Sequence, residues 1–352
     1  SLDTTFGAGG QIVFVPLYQT RDLALQPDGK IVAVGSNQQG FSMTARFFNT
    51  DSAPPVANSQ LRISDFDGDG KTDTSVFRSG TWFINPSTAP SFAPAAFYAV
   101  QFGLPTDRLT PADYDGDGKT DIAVWLEAPA AQAAFYILQS SNNTFRAEAF
   151  GQTGDNPSIV GDWDGDGKAD PAVYRDAATG TQSYFYYRGS LNNPSGGTTA
   201  LQWGTSGDRA ARGDFDGDAR MDLAVFRPSE RNWYVLQSSN NQLFVQQFGL
   251  ADDRRISADF DGDGKTDIAV FRPSNGTWYA RQSSNGALRV QQWGLGSDAI
   301  VAGDYDGDAK TDYAVWRQAD GNYYILRSSD SQFAARQFGA SGDVPVAAAF
   351  IQ

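Results

Sequence analysis

A nine-residue phrase, Asp-aromatic-Asp-Gly-Asp-Gly/Ala-Lys/Arg-x-Asp, occurs six times in this 352-residue chain. The copies are separated by 48, 49, 52, 45 and 45 residues and begin at Asp65, Asp113, Asp162, Asp214, Asp259 and Asp304. A period of this length is typical of repeat architectures, in which each copy is one structural unit. Each copy also brings four carboxylates close together, and like charges at this spacing repel each other unless a cation neutralises them.

The residues around each copy have the pattern of short strands separated by turns. In the unit of Asp259, the expected strands are Ile256–Ala258, Ile268–Arg272, Thr277–Gln282 and Leu288–Trp293. Four short strands predict one antiparallel blade, and successive units of this kind predict an all-β fold, the β-propeller. A second marker, an aromatic residue followed by glycine, closes each unit, and we expect it to pack between blades. Its copies start at Phe102, Phe150, Trp203, Phe248, Trp293 and Phe338.

The simplest organisation is one propeller domain over residues 1–352. Residues 1–60 are expected to form a degenerate first blade without a metal loop, because the related segment around Asp28 keeps only one of the four aspartates. Residues 61–343 then supply six blades with metal loops, and residues 344–352 supply a closing strand that pairs into the first blade and hides its edge. This arrangement predicts seven blades. Eight blades, or an arc that does not close, are the alternatives.

The six loops offer oxygen ligands of the kind that calcium prefers. Carboxylates stand at loop positions 1, 3, 5 and 9, and position 7 offers its backbone carbonyl. An EF-hand needs glutamate at position 12, where this chain has valine in every copy, so the loops predict about six strand-loop-strand Ca²⁺ sites. The expected ligands are Asp65, Asp67, Asp69, Lys71 and Asp73; Asp113, Asp115, Asp117, Lys119 and Asp121; Asp162, Asp164, Asp166, Lys168 and Asp170; Asp214, Asp216, Asp218, Arg220 and Asp222; Asp259, Asp261, Asp263, Lys265 and Asp267; and Asp304, Asp306, Asp308, Lys310 and Asp312.

Two of the loops depart from the pattern at position 6. Glycine there permits the positive φ of a sharp turn, but the loops at Asp214 and Asp304 have Ala219 and Ala309 instead. We expect these two loops to bind the metal more weakly than the other four. The alternative interpretation is that all six phrases are ordinary surface turns. It would explain the Asp and Gly residues of a single copy, because both are common in turns, but it does not explain six copies in phase.

Composition excludes several functional classes. The chain has no Cys and no His, which removes thiol chemistry, Ser-His-Asp triads and ordinary zinc sites. Its formal charge of −14 disfavours nucleic acid and anionic membranes as partners. No segment approaches the ~20 apolar residues of a membrane-spanning helix.

The Asp-x-Asp-Gly-Asp-Gly-x-x-Asp loops and the aromatic-glycine closers resemble the FG-GAP/VCBS repeat family. Members of that family form the calcium-binding β-propellers of integrin α-subunit heads and of many secreted bacterial proteins. The resemblance covers about residues 61–350 and implies bound Ca²⁺ and a secreted or cell-surface location, here in a bacterium. It implies that ligands meet the loops of one face or the clefts between blades.

The function that we expect is therefore a binding or adhesion module, for a glycan or a protein ligand, without catalytic or cofactor-binding residues. A structural subunit of an extracellular fibre or surface layer, self-associating through its terminal strands, is the first alternative. A calcium-dependent polysaccharide lyase or another hydrolase is the second. Candidate sugar-stacking aromatics lie in the strand pairs that include Trp233 and Trp278, although one member of each pair is expected to be core. Arginines such as Arg272 are expected to pair with the metal loops.

Overall fold

The computed structural model describes residues 63–88, 97–127 and 132–351, together with three strands nearer the N-terminus. The chain divides into two compact units, Ser1–Val56 and Ala57–Gln352. In the first unit, β1 (Gln19–Leu25), β2 (Ile31–Ser36) and β3 (Ser42–Phe47) form one antiparallel sheet in that order. Asp28, which was expected to mark a degenerate metal loop, lies outside the described residues. That the two units form one domain stays a prediction.

The second unit is an all-β propeller of six antiparallel blades. Blade one contains β4 (Thr74–Arg78), β5 (Thr81–Asn85), β6 (Tyr98–Gln101) and β26 (Val344–Pro345). Blade two contains β7 (Arg108–Leu109), β8 (Ile122–Leu126), β9 (Ala134–Leu138) and β10 (Phe145–Ala149). Blade three contains β11 (Ala172–Arg175), β12 (Gln182–Tyr187) and β13 (Thr199–Thr205), and a bridge between Asn156 and Tyr174 stands at its first-strand position.

The remaining three blades each contain four strands. Blade four contains β14 (Arg209–Ala211), β15 (Leu223–Arg227), β16 (Asn232–Leu236) and β17 (Leu243–Gln247). Blade five contains β18 (Arg254–Ala258), β19 (Asp267–Arg272), β20 (Thr277–Arg281) and β21 (Leu288–Gln292). Blade six contains β22 (Ala299–Ile300), β23 (Tyr313–Arg317), β24 (Asn322–Leu326) and β25 (Phe333–Gln337).

Burial within a blade follows the position of the strand. The second strand is buried on both faces, as in β15, because the neighbouring blades cover it. The third strand alternates, so that Trp233 and Val235 of β16 are buried while their neighbours are only half-buried. The fourth strand, such as β17, is mostly exposed. Near-continuous apolar runs for covered strands and alternation for half-covered ones are the patterns that this layering requires.

The aromatic-glycine closers join consecutive blades. Gly294 of blade five has φ +93°, and a Cβ atom there would lie 2.8 Å from Cγ1 of Val315 in blade six. The same approach recurs from Gly339 of blade six to Val76 of blade one, at 3.2 Å. Trp293 donates a hydrogen bond from its indole N–H to the carbonyl oxygen of Tyr324 in the next blade (3.1 Å). The closers therefore lie between blades, and the valine at loop position 12 packs against them.

The prediction of seven blades was wrong, because the ring closes with six. The C-terminal strand β26 pairs with β4, not with residues 1–60: Val344 pairs with Phe77, and Pro345 with Val76. Leu109 of β7 holds the same register against Val124 of β8. The C-terminal segment therefore supplies the first strand of the blade that contains the Asp65 loop, and no seventh blade is needed to close the ring.

The residues after β26 fill much of the centre of the ring. A 3₁₀ helix covers Val346–Ala348, and Val346 and Ala347 are buried. Phe350 follows it and lies 4.8 Å from the guanidinium of Arg212 in blade four. The cavities that remain beside Ile351 measure only about 60 and 30 Å³. The centre of the ring therefore has little room for a ligand.

Candidate metal centres and the cleft between blades four and five

Each metal loop winds around the carboxylate at its first position. In blade five, Gly262 donates its backbone N–H to Oδ1 of Asp259 at 2.6 Å, and Gly264 donates to Oδ2 at 2.9 Å. The other five loops make the same two bonds, including those from Ala219 and Ala309 in place of glycine. Both alanines have positive φ, 69° and 67°. The strained conformation expected at position 6 is therefore present.

The carboxylate at the ninth position ties each loop to the next hairpin of its blade. Asp267 accepts a hydrogen bond from the backbone N–H of Phe260 at 2.9 Å, and its other oxygen accepts one from the N–H of Ser283 at 2.7 Å. The same pair of bonds forms at Asp73, Asp121, Asp170, Asp222 and Asp312.

Serine hydroxyls between the third and fourth strands hold the remaining carboxylates, and the sequence interpretation missed this role. Ser283 donates from Oγ to Asp263 at 2.8 Å, and Ser284 donates to Asp261 at 2.6 Å. The signal was available, because a Ser-Ser or Ser-Thr pair recurs in phase with the loops at 87–88, 140–141, 238–239, 283–284 and 328–329. In blade three, the backbone N–H groups of Leu191 and Asn192 donate to Asp164 instead.

The carboxylates of each loop lie close enough together to share one cation. Ligand oxygens of Asp65, Asp67 and Asp73 lie within 4.8 Å of one another, and groups of three aspartates also form in the loops that begin at Asp113, Asp162, Asp214 and Asp259. Burial, followed by repulsion from Asp67, raises the pKa of Asp73 to about 8. Burial is also the largest cause that raises the pKa of Asp170 to about 8 and that of Asp267 to about 7. A cation would offset both causes, since it favours the charged form of each carboxylate.

The donor set fits calcium. The loops supply only oxygen ligands, and Asp164 Oδ1 and Asp306 Oδ1 are buried without a hydrogen-bond partner among the described residues. A hard divalent cation accepts such oxygens as ligands. Residues at positions 1, 3, 5 and 9 would hold the ion, and ligation by the backbone carbonyl at position 7 stays a prediction.

The six loops are linked into a closed circle. The backbone N–H at position 8 of each loop donates to the carbonyl oxygen at position 1 of the preceding loop, as from Thr311 to Asp259 at 2.7 Å. The bond from Thr72 to Asp304 (2.5 Å) joins the first loop to the last. The side chain at position 7 also lies over the glycine at position 4 of the preceding loop, so that a Cβ on Gly217 would be 3.1 Å from Cγ of Lys265. Each metal loop is therefore packed and hydrogen-bonded to its neighbours.

The recurrent arginines form salt bridges, but not with the metal loops as we had expected. Arg272 pairs through two nitrogens with the buried Asp253, at 2.9 and 2.8 Å, and its guanidinium lies 4.4 Å from the ring centre of Tyr279. The same arrangement recurs for Arg78, Arg175, Arg227 and Arg317. The acidic partner stands four residues after the glycine of each closer, a spacing that is visible in the sequence.

The aromatic strand pairs do not form an exposed sugar-stacking surface. Trp233 and Trp278 are buried core residues whose indole N–H groups donate to the carbonyl oxygens of the closers Phe248 and Trp293. Their strand neighbours Tyr234 and Tyr279 are half-buried beneath arginines. Substitution of either tryptophan would therefore report on folding, not on ligand binding.

A cavity that opens to the surface lies between blades four and five. This cleft has a volume of about 320 Å³, which is in the lower range of small-molecule sites. Its lining combines the aromatic ring of Phe244 with amide and cationic side chains. These polar residues are Gln237, Gln246, Lys265, Arg281 and Gln282.

A sequence model of the FG-GAP-like repeat matches residues 65–124 and 259–315. Both segments start at the first aspartate of a metal loop and end at the valine of position 12. The chain contains an FG-GAP repeat β-propeller. The expected family and fold class are thereby confirmed, apart from the number of blades.

No curated protein is significantly similar in sequence to this FG-GAP repeat propeller. Among solved structures, it is similar to TolB from Acinetobacter baumannii, with 15% identity, coverage of 92% of this chain and 78% of that chain, and a TM-score of 0.48. It is also similar to an auxiliary nutrient binding protein from Bacteroides ovatus (9% identity, 88% and 84% coverage, TM-score 0.38) and to AztD from Citrobacter koseri (9%, 92% and 87%, TM-score 0.34). Within the described residues, no helix is long and apolar enough to cross a membrane.

Proposed function

We propose that this protein is a secreted, calcium-stabilised binding module whose ligand enters the cleft between blades four and five. The cleft carries the proposal, because it combines about 320 Å³ of space with an aromatic ring and convergent polar side chains. These are the features by which small-molecule sites are recognised. The circle of linked metal loops includes Thr266 of its lining, whose backbone N–H donates to the carbonyl oxygen of Asp214 at 2.6 Å.

The composition of the cleft supports binding over catalysis. Its lining residues include no Asp, Glu or Tyr, so it has no carboxylate or phenol to act as a general acid or base. The three glutamines each present a donor and an acceptor, and such a set suits the hydroxyl groups of a sugar. A glycan is therefore the ligand that we favour over a protein.

Secretion is supported by the metal loops. Extracellular calcium modules typically bind with dissociation constants of ~10⁻⁴–10⁻³ M, and the resemblance of the loops to the repeats of secreted proteins supports the same location for this chain. The alternative of a fibre or surface-layer subunit depended on unpaired terminal strands. That support is weaker at the C-terminal side, because β26 pairs inside the propeller.

A glycan array at saturating Ca²⁺ tests the proposal. The unmodified protein should bind at least one glycan class. Phe244→Ala and Gln246→Ala should each weaken that binding by roughly 10-fold, since each removes a contact worth about 1.4 kcal/mol. Phe145→Ala is the matched control, because Phe145 lies on the equivalent fourth strand of blade two and is exposed. Binding to no glycan, or equal binding by all variants, would reject the cleft as a glycan site.

A further inference from the structure

The cleft between blades four and five differs from its repeats at three positions, and these differences define its chemistry. The first is Arg281, at the end of β20. Pairing registers place it opposite Ile268, as Leu236 is placed opposite Leu223 and Leu326 opposite Tyr313. In blade two the equivalent residue is Leu138. A charged side chain thus stands in blade five where three other blades have leucine.

The second difference gives this arginine room. Gly286 follows in the turn after β20, and a Cβ atom there would lie 3.5 Å from the Nη2 atom of Arg281. The equivalent turn positions in blades two, four and six are Asn143, Asn241 and Ser331, all at positive φ. Only the glycine lacks a side chain that would compete for the space beside the guanidinium.

The third difference keeps the cleft open. Phe244 pairs with Val235 in blade four, and the equivalent residue in blade five is Arg289, which pairs with Ala280. Arg289 reaches inward and donates a hydrogen bond to the carbonyl oxygen of Phe260 at 3.1 Å. Between blades two and three, Arg146 and Arg188 both pair with the buried Glu148. In blade four the phenyl ring of Phe244 lines the cleft and makes no such bond.

The cleft carries two cationic side chains, Arg281 and Lys265. Neither Arg281 nor Lys265 forms an ion pair with any residue in the part of the chain that the structure describes. Asp263 and Asp267 of the adjoining metal loop both accept hydrogen bonds from Ser283.

We propose that this cleft binds a carboxylate-bearing sugar, the uronic acid unit of an acidic glycan. The guanidinium of Arg281 matches a carboxylate in a planar, two-bond geometry, and Lys265 adds a second positive charge. Phe244 offers an apolar face to the C–H side of the sugar ring, and the glutamines meet its hydroxyl groups. This inference rests on the binding function proposed above and names the ligand class of the same cleft.

The depth of the cleft and its lining of side chains favour a sugar over a peptide strand as the ligand. The cleft is about 320 Å³ in volume and reaches down to the buried Phe215 and Thr266 between the blades. Its ligand therefore enters between the sheets. A peptide that added to the outer edge of β17 would instead use main-chain hydrogen bonds along the strand.

Binding measured by calorimetry at saturating Ca²⁺ tests the inference with matched probes. The first probe is a trisaccharide of β-1,4-linked glucuronate. The second is cellotriose, which has a neutral hydroxymethyl group in place of each carboxylate. A penta-aspartate peptide represents the other anionic class. The unmodified protein should bind the glucuronate trimer at least ~10-fold more tightly than cellotriose, the range of one charge-assisted hydrogen-bond pair.

Two substitutions should abolish this preference. Arg281→Leu installs the residue of the sibling blades, so the blade should fold, and Gly286→Asn fills the space beside the guanidinium. Arg209→Leu removes an exposed cation of blade four outside the cleft and should leave the preference unchanged. A preference that survives in Arg281→Leu would overturn the inference.

The remaining outcomes separate this inference from the proposed function. Equal binding of both trisaccharides, weakened by Phe244→Ala, would keep a glycan site and overturn its uronate specificity. Binding of the peptide without the glucuronate trimer would overturn the sugar. Binding of no probe would overturn the inference, while the glycan array still decides whether the cleft takes another sugar.

Discussion

Two alanines in the metal loops have a strained backbone conformation at a position where the other loops have glycine. Ala219 and Ala309 have φ of 69° and 67°, a region in which an L-residue with a Cβ atom is disfavoured by about 1 kcal/mol. The four sibling loops have glycine at this position. Each alanine still donates its N–H to the first aspartate of its loop, so the strain is held by the surrounding structure.

Ala219→Gly should therefore strengthen calcium binding at the Asp214 loop. Glycine removes the strain of the ordered loop conformation that a bound ion requires, so it should lower the dissociation constant of that site severalfold. Calorimetric titration of the metal-free protein measures the change. The reverse substitution in a sibling loop, Gly264→Ala, is the control and should weaken its site by a similar factor. Six equal sites in the unmodified protein would contradict this account.

At the scale of the blade, the same arginine–aspartate salt bridge occurs in five blades and is missing in blade two. The arginine after the second strand pairs with a buried aspartate and lies over an aromatic ring, as Arg272 does with Asp253 and Tyr279. In blade two the arginine is replaced by Leu126. The corresponding aspartate, Asp107, has a buried Oδ1 atom without a hydrogen-bond partner among the described residues, and burial raises its pKa.

Leu126→Arg should restore the missing salt bridge in blade two and stabilise the protein. The new guanidinium would reach Asp107 as Arg272 reaches Asp253, and a charge-assisted hydrogen bond to a half-buried carboxylate contributes about 1–2 kcal/mol. Urea denaturation measures the gain. Leu126→Lys, which lacks the planar two-bond geometry, should give less, and Leu126→Arg together with Asp107→Asn should give almost nothing. A loss of stability in the single arginine variant would show that blade two has no space for the side chain.

The blade was largely predictable from sequence, and its side-chain contacts were not. The nine-residue phrase predicted the loops, and the alternation in segments such as Thr277–Gln282 predicted strands, because both patterns are local. The Arg272–Asp253 pair joins residues 19 positions apart, and its assignment required the register of β18 against β19. The cleft is open because blade four has Phe244 at the position where blade five has the inward-reaching Arg289. This equivalence depends on the strand registers, which the sequence pattern does not give.

At the scale of the whole molecule, the blade count could not be predicted because it depends on how the ring closes. The sequence pattern showed that the segment around Val344 belongs to a blade, but not which partner strand receives it. Pairing with β4 uses the open first-strand position of blade one. The same closure places the metal loops in a circle of carboxylates whose mutual repulsion a bound cation would offset.

Removal of calcium should destabilise the propeller more at about pH 8 than at about pH 5. In the metal-free fold the pKa of Asp170 is raised from 3.8 to about 8. The folded state therefore binds more protons than the unfolded state between these values, and its stability falls as pH rises through the folded pKa. Calcium reverses this loss because it favours the charged carboxylates.

Differential scanning calorimetry with and without Ca²⁺ at both pH values measures the effect. The melting temperature gained on adding Ca²⁺ should be larger at about pH 8, where protons do not compete for the carboxylates. Asp170→Asn should reduce the pH dependence of the metal-free protein. A melting temperature that does not respond to calcium at either pH would reject the metal sites.

The ring is closed by the short pairing of β26 with β4. Two residue pairs, Val344 with Phe77 and Pro345 with Val76, join the C-terminal segment to the first blade, together with the salt bridge between Arg78 and Asp343. Tension applied along the C-terminal segment would therefore be borne first by these contacts and by the hydrogen bond from the amide of Thr72 to Asp304. In a protein held at its C-terminus under tension, mechanical opening would begin at this seam, and ions held by the metal loops on either side of it would raise the force required.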